Sequence, residues 1–325
     1  MRILRNSYKI GQIKQLMRPI KITSSLFSII IVNWNGKELL RNCLNSIIKT
    51  NSSQNYEIIV VDNASTDGSV NMIKREFQNV SLILNEENLG FSKATNIGIK
   101  ASKSDFLLLL NTDTELRTPD ILQTVEKFFA KNHGIGLVGL NLIFPNGVPQ
   151  SPGGNFISNW QLFKQQVLFV NSPFFLWAKN RISSSGSKSC YHIDYASGAC
   201  LFMRRELIEE VGLLDESFFM YGEDMEFCYR ARNKGWHTAI LPYLDVVHLR
   251  GQSTRKNIEQ ILMHSMKNNC WLINKFYGKK RALLAHVIYS FGLSIRLILA
   301  FFRKSEQPMS YWKLILSNLK LCFSY

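Results

Sequence analysis

The chain has 325 residues, 46% hydrophobic and 19% charged, enough for one large globular domain with a sizeable core, alone or with an appendage. Its net charge of +15 sits at the ends: residues 1–25 carry six Lys/Arg and no acid, residues 250–325 thirteen and two, and the stretch between is nearly neutral. The six cysteines (43, 190, 200, 228, 270 and 322) form no C-x-x-C pair, which excludes a common zinc module and fits a reducing cytoplasm.

The basic N-terminus (1–25) lacks an apolar core of signal-peptide length. "FSIIIVNWNG" (27–36) predicts a buried strand feeding a loop, and "KELLRNCLNSIIK" a helix. "YEIIVVDNASTDGS" predicts a second strand, ending at Asp62. "VSLILNEENLGFS" starts as a strand and breaks at Asn88-Leu89-Gly90, and "SKATNIGIKAS" reads as a helix. "DFLLLLNTDTEL" is the next strand, and Thr118-Pro119 predicts a helix start. "GIGLVGLNLIF" (134–144) is a further strand. Residues 145–190 turn Gly/Pro-rich and then aromatic, as expected of an insertion or mobile cover. Strand and helix resume over 191–212, and 223–235 is helical. Apolar strands alternating with helices predict a mostly parallel sheet covered on both faces.

Ligands bind such sheets at the carboxyl ends of strands. Asn33, Asp62, Asn88 and Asp113 fall at predicted strand ends. Asp62 suits a ribose hydroxyl or a ring N–H, or simply a turn. Asp113 could hold a divalent cation bridging phosphates, or cap a helix. Glu223, Asp224 and Glu226 could raise one another's pKa and so supply a proton acceptor, or be ordinary first-turn acids. His248 could be structural or a second metal ligand. No P-loop, G-x-G-x-x-G or serine elbow occurs. Residues 256–325 form a basic helical C-terminal region. Its apolar run 282–302 is long enough to span a bilayer (~20 residues). Arg296 at its centre would cost ~2.5–3.5 kcal/mol there, so an interfacial helix fits better.

In order, "SIIIVNWNG", "IIVVDNASTDGS", "NEENLGFSKATNIGI", "LLLLNTDTEL", "ASGACLFMRR", "DESFFMYGEDMEFCYRARNKGW" and "VVHLRGQS" resemble the family 2 glycosyltransferases, particularly the rhamnosyltransferase-like branch, over residues 26–255. The resemblance implies a GT-A fold, a nucleotide-diphosphate sugar donor and Mg²⁺ or Mn²⁺. It also implies an inverting displacement onto a glycan or lipid-linked acceptor at the cytoplasmic membrane face, without nucleic acid. On that basis Asn33, Asp62, Asn63, Asn88, Gly90, Asn96, Asn111, Gly198 and Ala199 bind donor or acceptor. Asp113 and His248 hold the metal. Asp224 is the general base, with Glu223 beside it. Many relatives carry an acid at the first D-x-D position, where this chain has Asn111, so either Asp113 does more of the binding or Glu115 assists through water. A nucleotidyltransferase, or a membrane- or nucleic-acid-binding protein without enzymic activity, would be the alternatives.

Overall fold

The computed structural model describes residues 27–51, 55–168, 190–249, 258–302 and 308–322. The basic extension 1–25, the aromatic residues Phe169, Phe174, Phe175 and Trp177, and the Gly251–Ser253 turn lie outside the described residues.

The chain runs β1 (Phe27–Asn33), α1 (Lys37–Thr50), β2 (Tyr56–Asp62), α2 (Ser69–Glu76), β3 (Val80–Leu84), α3 (Phe91–Ala101), β4 (Phe106–Leu110), β5 (Thr114–Leu116), α4 (Ile121–Lys131) and β6 (Ile135–Ile143). It continues through β7 (Gly153–Gly154), α5 (Asn159–Gln166), β8 (Tyr191–Ile193), β9 (Tyr195–Ala196), β10 (Cys200–Arg204), α6 (Arg205–Val211), α7 (Glu223–Asn233) and β11 (His237–His248). Three helices follow: α8 (Ile258–Tyr277), α9 (Lys279–Phe302) and α10 (Pro308–Cys322).

Among the described residues the main sheet has the order β3-β2-β1-β4-β10-β6-β11-β5, with β8 also on β11. β1, β2, β3 and β4 pair in parallel, as do β6 and β11, while β10 is inserted antiparallel between β4 and β6. These six parallel strands therefore end on one edge of a mixed, mostly parallel sheet. β10 and β5 run the other way, so Gly198-Ala199 and Asp113, which precede them, arrive at the same edge. The topology thus gathers residues that lie up to 215 positions apart.

The strands are apolar throughout because both faces are covered. Ile29, Ile31, Val60, Leu108 and Leu110 meet Leu40, Leu44, Met72, Val125 and Phe129 of α1, α2 and α4. Ile30, Leu107, Leu109, Leu201 and Met203 point to the opposite face, with residues of α6, α7, α8 and α9. Each fully buried Leu or Ile contributes roughly 1.5–3 kcal/mol. α3 lies close to β1: a Cβ on Gly98 would come within 2.5 Å of the Ile30 side chain.

One expectation changes in detail. Thr118-Pro119 does not start α4. Asp120, in a left-handed conformation, precedes the helix, and the Thr118 hydroxyl instead accepts the Asp245 N–H at 3.0 Å, beside the register shift of β11. Met266, Cys270, Ile273, Tyr289, Leu293 and Leu314 of the C-terminal helices join the second core. The described part of 145–190 packs there too, through Phe156, Ile157 and Leu162.

α9 is long and apolar enough to cross a membrane by length and composition. His286 and Arg296 within it nevertheless face inward. Buried His286 meets Asn318 of α10 (Nδ1–Oδ1 2.6 Å), and Asn318 donates to the His286 carbonyl at 2.8 Å. Arg296 donates to the Gln166 carbonyl at 3.1 Å, at the C-terminus of α5 where backbone acceptors lack partners. Leu284, Val287, Phe291 and Ile298, at i, i+3, i+7 and i+14, remain exposed as one apolar stripe. Trp312, Leu316 and Leu319 of the adjoining α10 are exposed as well. Neither helix contains an acid, and Lys279, Lys280, Arg281, Lys313 and Lys320 are exposed on them.

Candidate active site

At the β1–β2 end, Asn33 and Asp62 are register neighbours. The Asn33 amide donates to Asp62 Oδ2 at 2.7 Å, and the Ser65 N–H donates to Asp62 Oδ1 at 2.8 Å. The buried Asn33 Oδ1 has no hydrogen-bond partner among the described residues. Asn63 donates to the carbonyl of Gly90 at 3.1 Å and to Asn88 Oδ1 at 3.2 Å, while Asn88 accepts the Gly90 N–H at 3.0 Å. These bonds fold the 85–90 turn against β2. Gly90 sits at φ +82°, and a Cβ there would lie 2.6 Å from the Phe219 carbonyl, which accepts the Phe91 N–H at 2.7 Å. The loop before α7 is thereby fastened to the start of α3.

Asp113 follows β4 after a two-residue turn and is only 8% exposed. It caps no helix. Its Oδ1 lies 3.4 Å from His248 Nε2, and its carbonyl accepts the Leu249 N–H at 2.9 Å. The Gln150 side chain donates from Nε2 to the His248 carbonyl at 2.6 Å and presents Oε1 to His248 Nδ1 at 3.1 Å. A backbone carbonyl only accepts, so the amide orientation is fixed and Nδ1 carries the hydrogen. In a neutral imidazole, Nε2 then turns a lone pair toward a carboxylate oxygen. Two facing acceptors suit a shared cation, and an imidazole nitrogen beside a carboxylate oxygen suits Mn²⁺ better than Mg²⁺, which takes oxygen ligands. The pair fits a divalent ion, although among the described residues no group of three His, Cys, Asp or Glu could hold one. Glu115 is taken by Arg117 at 3.0 Å.

Two hydrogen bonds link the turn that carries Asp113 to the segment before β10, and that segment to Asp224 of α7. The Asn111 N–H donates to the Ala199 carbonyl at 3.0 Å, and the Gly198 N–H donates to Asp224 Oδ2 at 3.0 Å. Asp224 Oδ1 also accepts the Met225 N–H at 2.8 Å. Burial raises the Asp224 pKa, and these N–H groups hold it back. Burial, and after it the charge of Asp224, pushes Glu223 up to about 8; its buried Oε2 has no partner among the described residues. At neutral pH Glu223 therefore keeps its proton, and Asp224 is the first of the pair to ionise.

This asymmetry has a stability signature. Between about pH 4.5 and 8 the folded state holds a proton on Glu223 that the unfolded chain has lost. Stability should then fall as pH rises through that window, and be fully kept below it. Glu223→Gln, always neutral, is expected to flatten this slope, so that its advantage over the parent grows from pH 5 to pH 8. Urea unfolding at a series of pH values measures it, and parallel curves would refute it.

Not every candidate reaches the strand ends. Asn96 spends its amide on the Leu214 loop, donating to the Leu214 carbonyl at 2.9 Å and accepting the Leu214 N–H at 3.0 Å. Glu226 is buried in an ion cluster with Arg230 (2.8 Å) and Lys275 (2.6 Å), apart from the Glu223–Asp224 pair in role. Gln150 and Ser65 were not apparent from sequence. Ser65 stands three residues beyond Asp62, a spacing that could have been read, whereas nothing local marks Gln150.

A model of Glycosyl transferase family 2 matches residues 28–212. The low-salt glycan biosynthesis hexosyltransferase Agl10 of Haloferax volcanii is 28% identical over 227 residues, covering 68% of this chain and 66% of that protein. The N-acetylglucosaminyl-diphospho-decaprenol L-rhamnosyltransferase of Mycobacterium tuberculosis is 25% identical, covering 69% and 77%. Two longer relatives are matched over only 24% and 18% of their length. The mannosyltransferase PcManGT of Pyrobaculum calidifontis, solved with GDP-Man and Mn²⁺, superposes with a TM-score of 0.56 at 14% identity, covering 93% of this chain and 87% of that one, a likeness of fold.

Proposed function

The chain belongs to glycosyl transferase family 2, and from that premise we propose that it moves a sugar from a nucleotide-diphosphate donor to a hydroxyl of a glycan or lipid-linked acceptor, with inversion, in surface-glycan synthesis. Its chief support is the hydrogen-bonded path Asn111–Ala199–Gly198–Asp224, which ties a buried carboxylate to the Asp113–His248 strand ends. The acceptor oxygen attacks the anomeric carbon and passes its proton to Asp224. The anomeric carbon–oxygen bond breaks, and its electron pair leaves with the nucleoside diphosphate. Asn33, Asp62 and Ser65 orient the nucleoside. Asp113 and His248 would hold a divalent ion, which offsets charge on the leaving diphosphate. The family match displaces the nucleotidyltransferase and non-enzymic alternatives.

Rhamnose is the first donor sugar to examine, because the mycobacterial relative is named a rhamnosyltransferase. The full chain with Mn²⁺ or Mg²⁺ should be stabilised by, and should consume, one of dTDP-rhamnose and the common UDP- and GDP-sugars. A complete screen in which none is bound or turned over would end the proposal.

An interfacial, cytoplasmic-side membrane attachment completes the reading. It is supported by the exposed apolar stripe of α9, the surrounding cations, and the inward-facing His286 and Arg296 that a spanning helix would have to strip of their partners. The double variant Val287→Glu/Phe291→Glu changes two exposed side chains and should keep the melting temperature. It is expected to lose flotation with phosphatidylglycerol vesicles. Unchanged flotation would remove α9 as the membrane-facing element.

A further inference from the structure

Gln150 lies outside every motif of the family resemblance. β6 ends at Ile143, and the chain turns back so that the Phe144 N–H donates to the Val148 carbonyl and the Gln150 N–H to the Leu142 carbonyl, both at 2.7 Å. β6 is paired in parallel with β11 up to Ile143–Val247. The returning segment therefore lays Gln150, 5% exposed, beside His248.

We propose that Gln150 is a positioning residue for the candidate metal site, fixing hydrogen on Nδ1 of His248 so that a bare Nε2 faces Asp113. The inference deepens the metal-assisted reading above and rests on it for its purpose. Its evidence is the amide geometry: Nε2 of Gln150 is committed to the His248 carbonyl at 2.6 Å, leaving Oε1 as the atom that meets Nδ1 at 3.1 Å. Without that acceptor, the ring could put its hydrogen on Nε2 and donate to Asp113 Oδ1, 3.4 Å away. A hydrogen in that position would occupy the lone pair a metal needs. Ligating histidines commonly owe their tautomer to such a partner, whose loss costs about 10–100-fold in metal affinity.

A merely structural role for Gln150 makes a different prediction. It would require the bond to the His248 carbonyl, which both Leu and Glu lose. Glu at this position still accepts from Nδ1–H, and Leu does not. The test uses the full chain without nucleotide, the parent beside Gln150→Leu and Gln150→Glu. Mn²⁺ is titrated alone, with free ion read by electron paramagnetic resonance. ¹⁵N-imidazole spectra are taken at a pH where the ring is neutral, and His248 is assigned with H248A.

The parent is expected to show hydrogen on Nδ1. Q150L should shift His248 toward the Nε2–H form and bind Mn²⁺ about 10–100-fold more weakly. Q150E should keep the Nδ1–H form and most of the affinity. Hydrogen on Nε2 in the parent, or a Q150L ring and affinity like the parent's, would overturn the proposal, as would equal losses in both variants. If the parent bound no Mn²⁺, the metal-assisted reading would fail, while the tautomer spectra would still decide the role of Gln150. Neither readout needs a sugar donor or an acceptor.

Discussion

Asp224→Asn is expected to lower kcat for sugar transfer by about 10²–10⁴-fold, the usual worth of a general base, while leaving donor affinity nearly unchanged. Asp224 accepts N–H groups from Gly198 and Met225, so its carboxylate is held against the backbone of the segment that precedes β10. Asn keeps the size and one acceptor oxygen, but its NH₂ must face one of the two N–H donors. That mismatch costs about 1–3 kcal/mol of stability, which thermal unfolding detects and which leaves the variant folded. The chemical loss is larger because an amide cannot take the acceptor's proton. Calorimetry with the donor and Mn²⁺ separates binding from turnover, and kcat within tenfold of the parent would remove Asp224 as the base. Glu223 keeps the larger of the two causes that raise its pKa, burial, in this variant, and loses the smaller, the charge of Asp224.

The parallel wing could be read from the sequence because burial on both faces leaves continuous apolar runs such as Ile29–Val32 and Leu107–Leu110. Polar residues that end those runs had to lie on one edge, which is why Asn33, Asp62 and Asp113 could be found without a structure. β10, by contrast, is short and antiparallel, and its place between β4 and β6 follows from no local pattern. That insertion brings Gly198 to Asp224. Asn96 is placed differently. A Gly/Asn-rich stretch is as good at gripping a neighbouring loop, as it does at Leu214, as at admitting a ligand. Arg296 looked like a blemish in an apolar run that also holds His286. They are the inward face of α9, their charge and polarity used at the end of α5 and on Asn318.

Asp113→Asn should separate from Asp224→Asn at the binding step. Asn111 supplies only an amide at the first position of the N-x-D turn, and Glu115 is turned toward Arg117, so Asp113 is the carboxylate left at this strand end for the proposed ion. Its neutralisation is expected to weaken Mn²⁺ by at least the ~100-fold upper range of outer-shell losses, with metal-dependent donor binding falling alongside. Adding Asn111→Asp should recover part of that loss if position 111 can reach the ion. The metal-free protein supplies a further sign. If Gln150 keeps Nε2 of His248 bare, as proposed, Asp113 Oδ1 faces it acceptor to acceptor at 3.4 Å. An Asn at 113 can turn its NH₂ to that nitrogen and form the hydrogen bond the parent lacks, worth about 0.5–1.5 kcal/mol. Without Mn²⁺, Asp113→Asn should therefore melt at or above the parent's temperature, and with Mn²⁺ it should lose the parent's upward shift. A variant that is destabilised without metal, yet still responds to Mn²⁺, would mean that Asp113 serves the fold and the ion binds elsewhere.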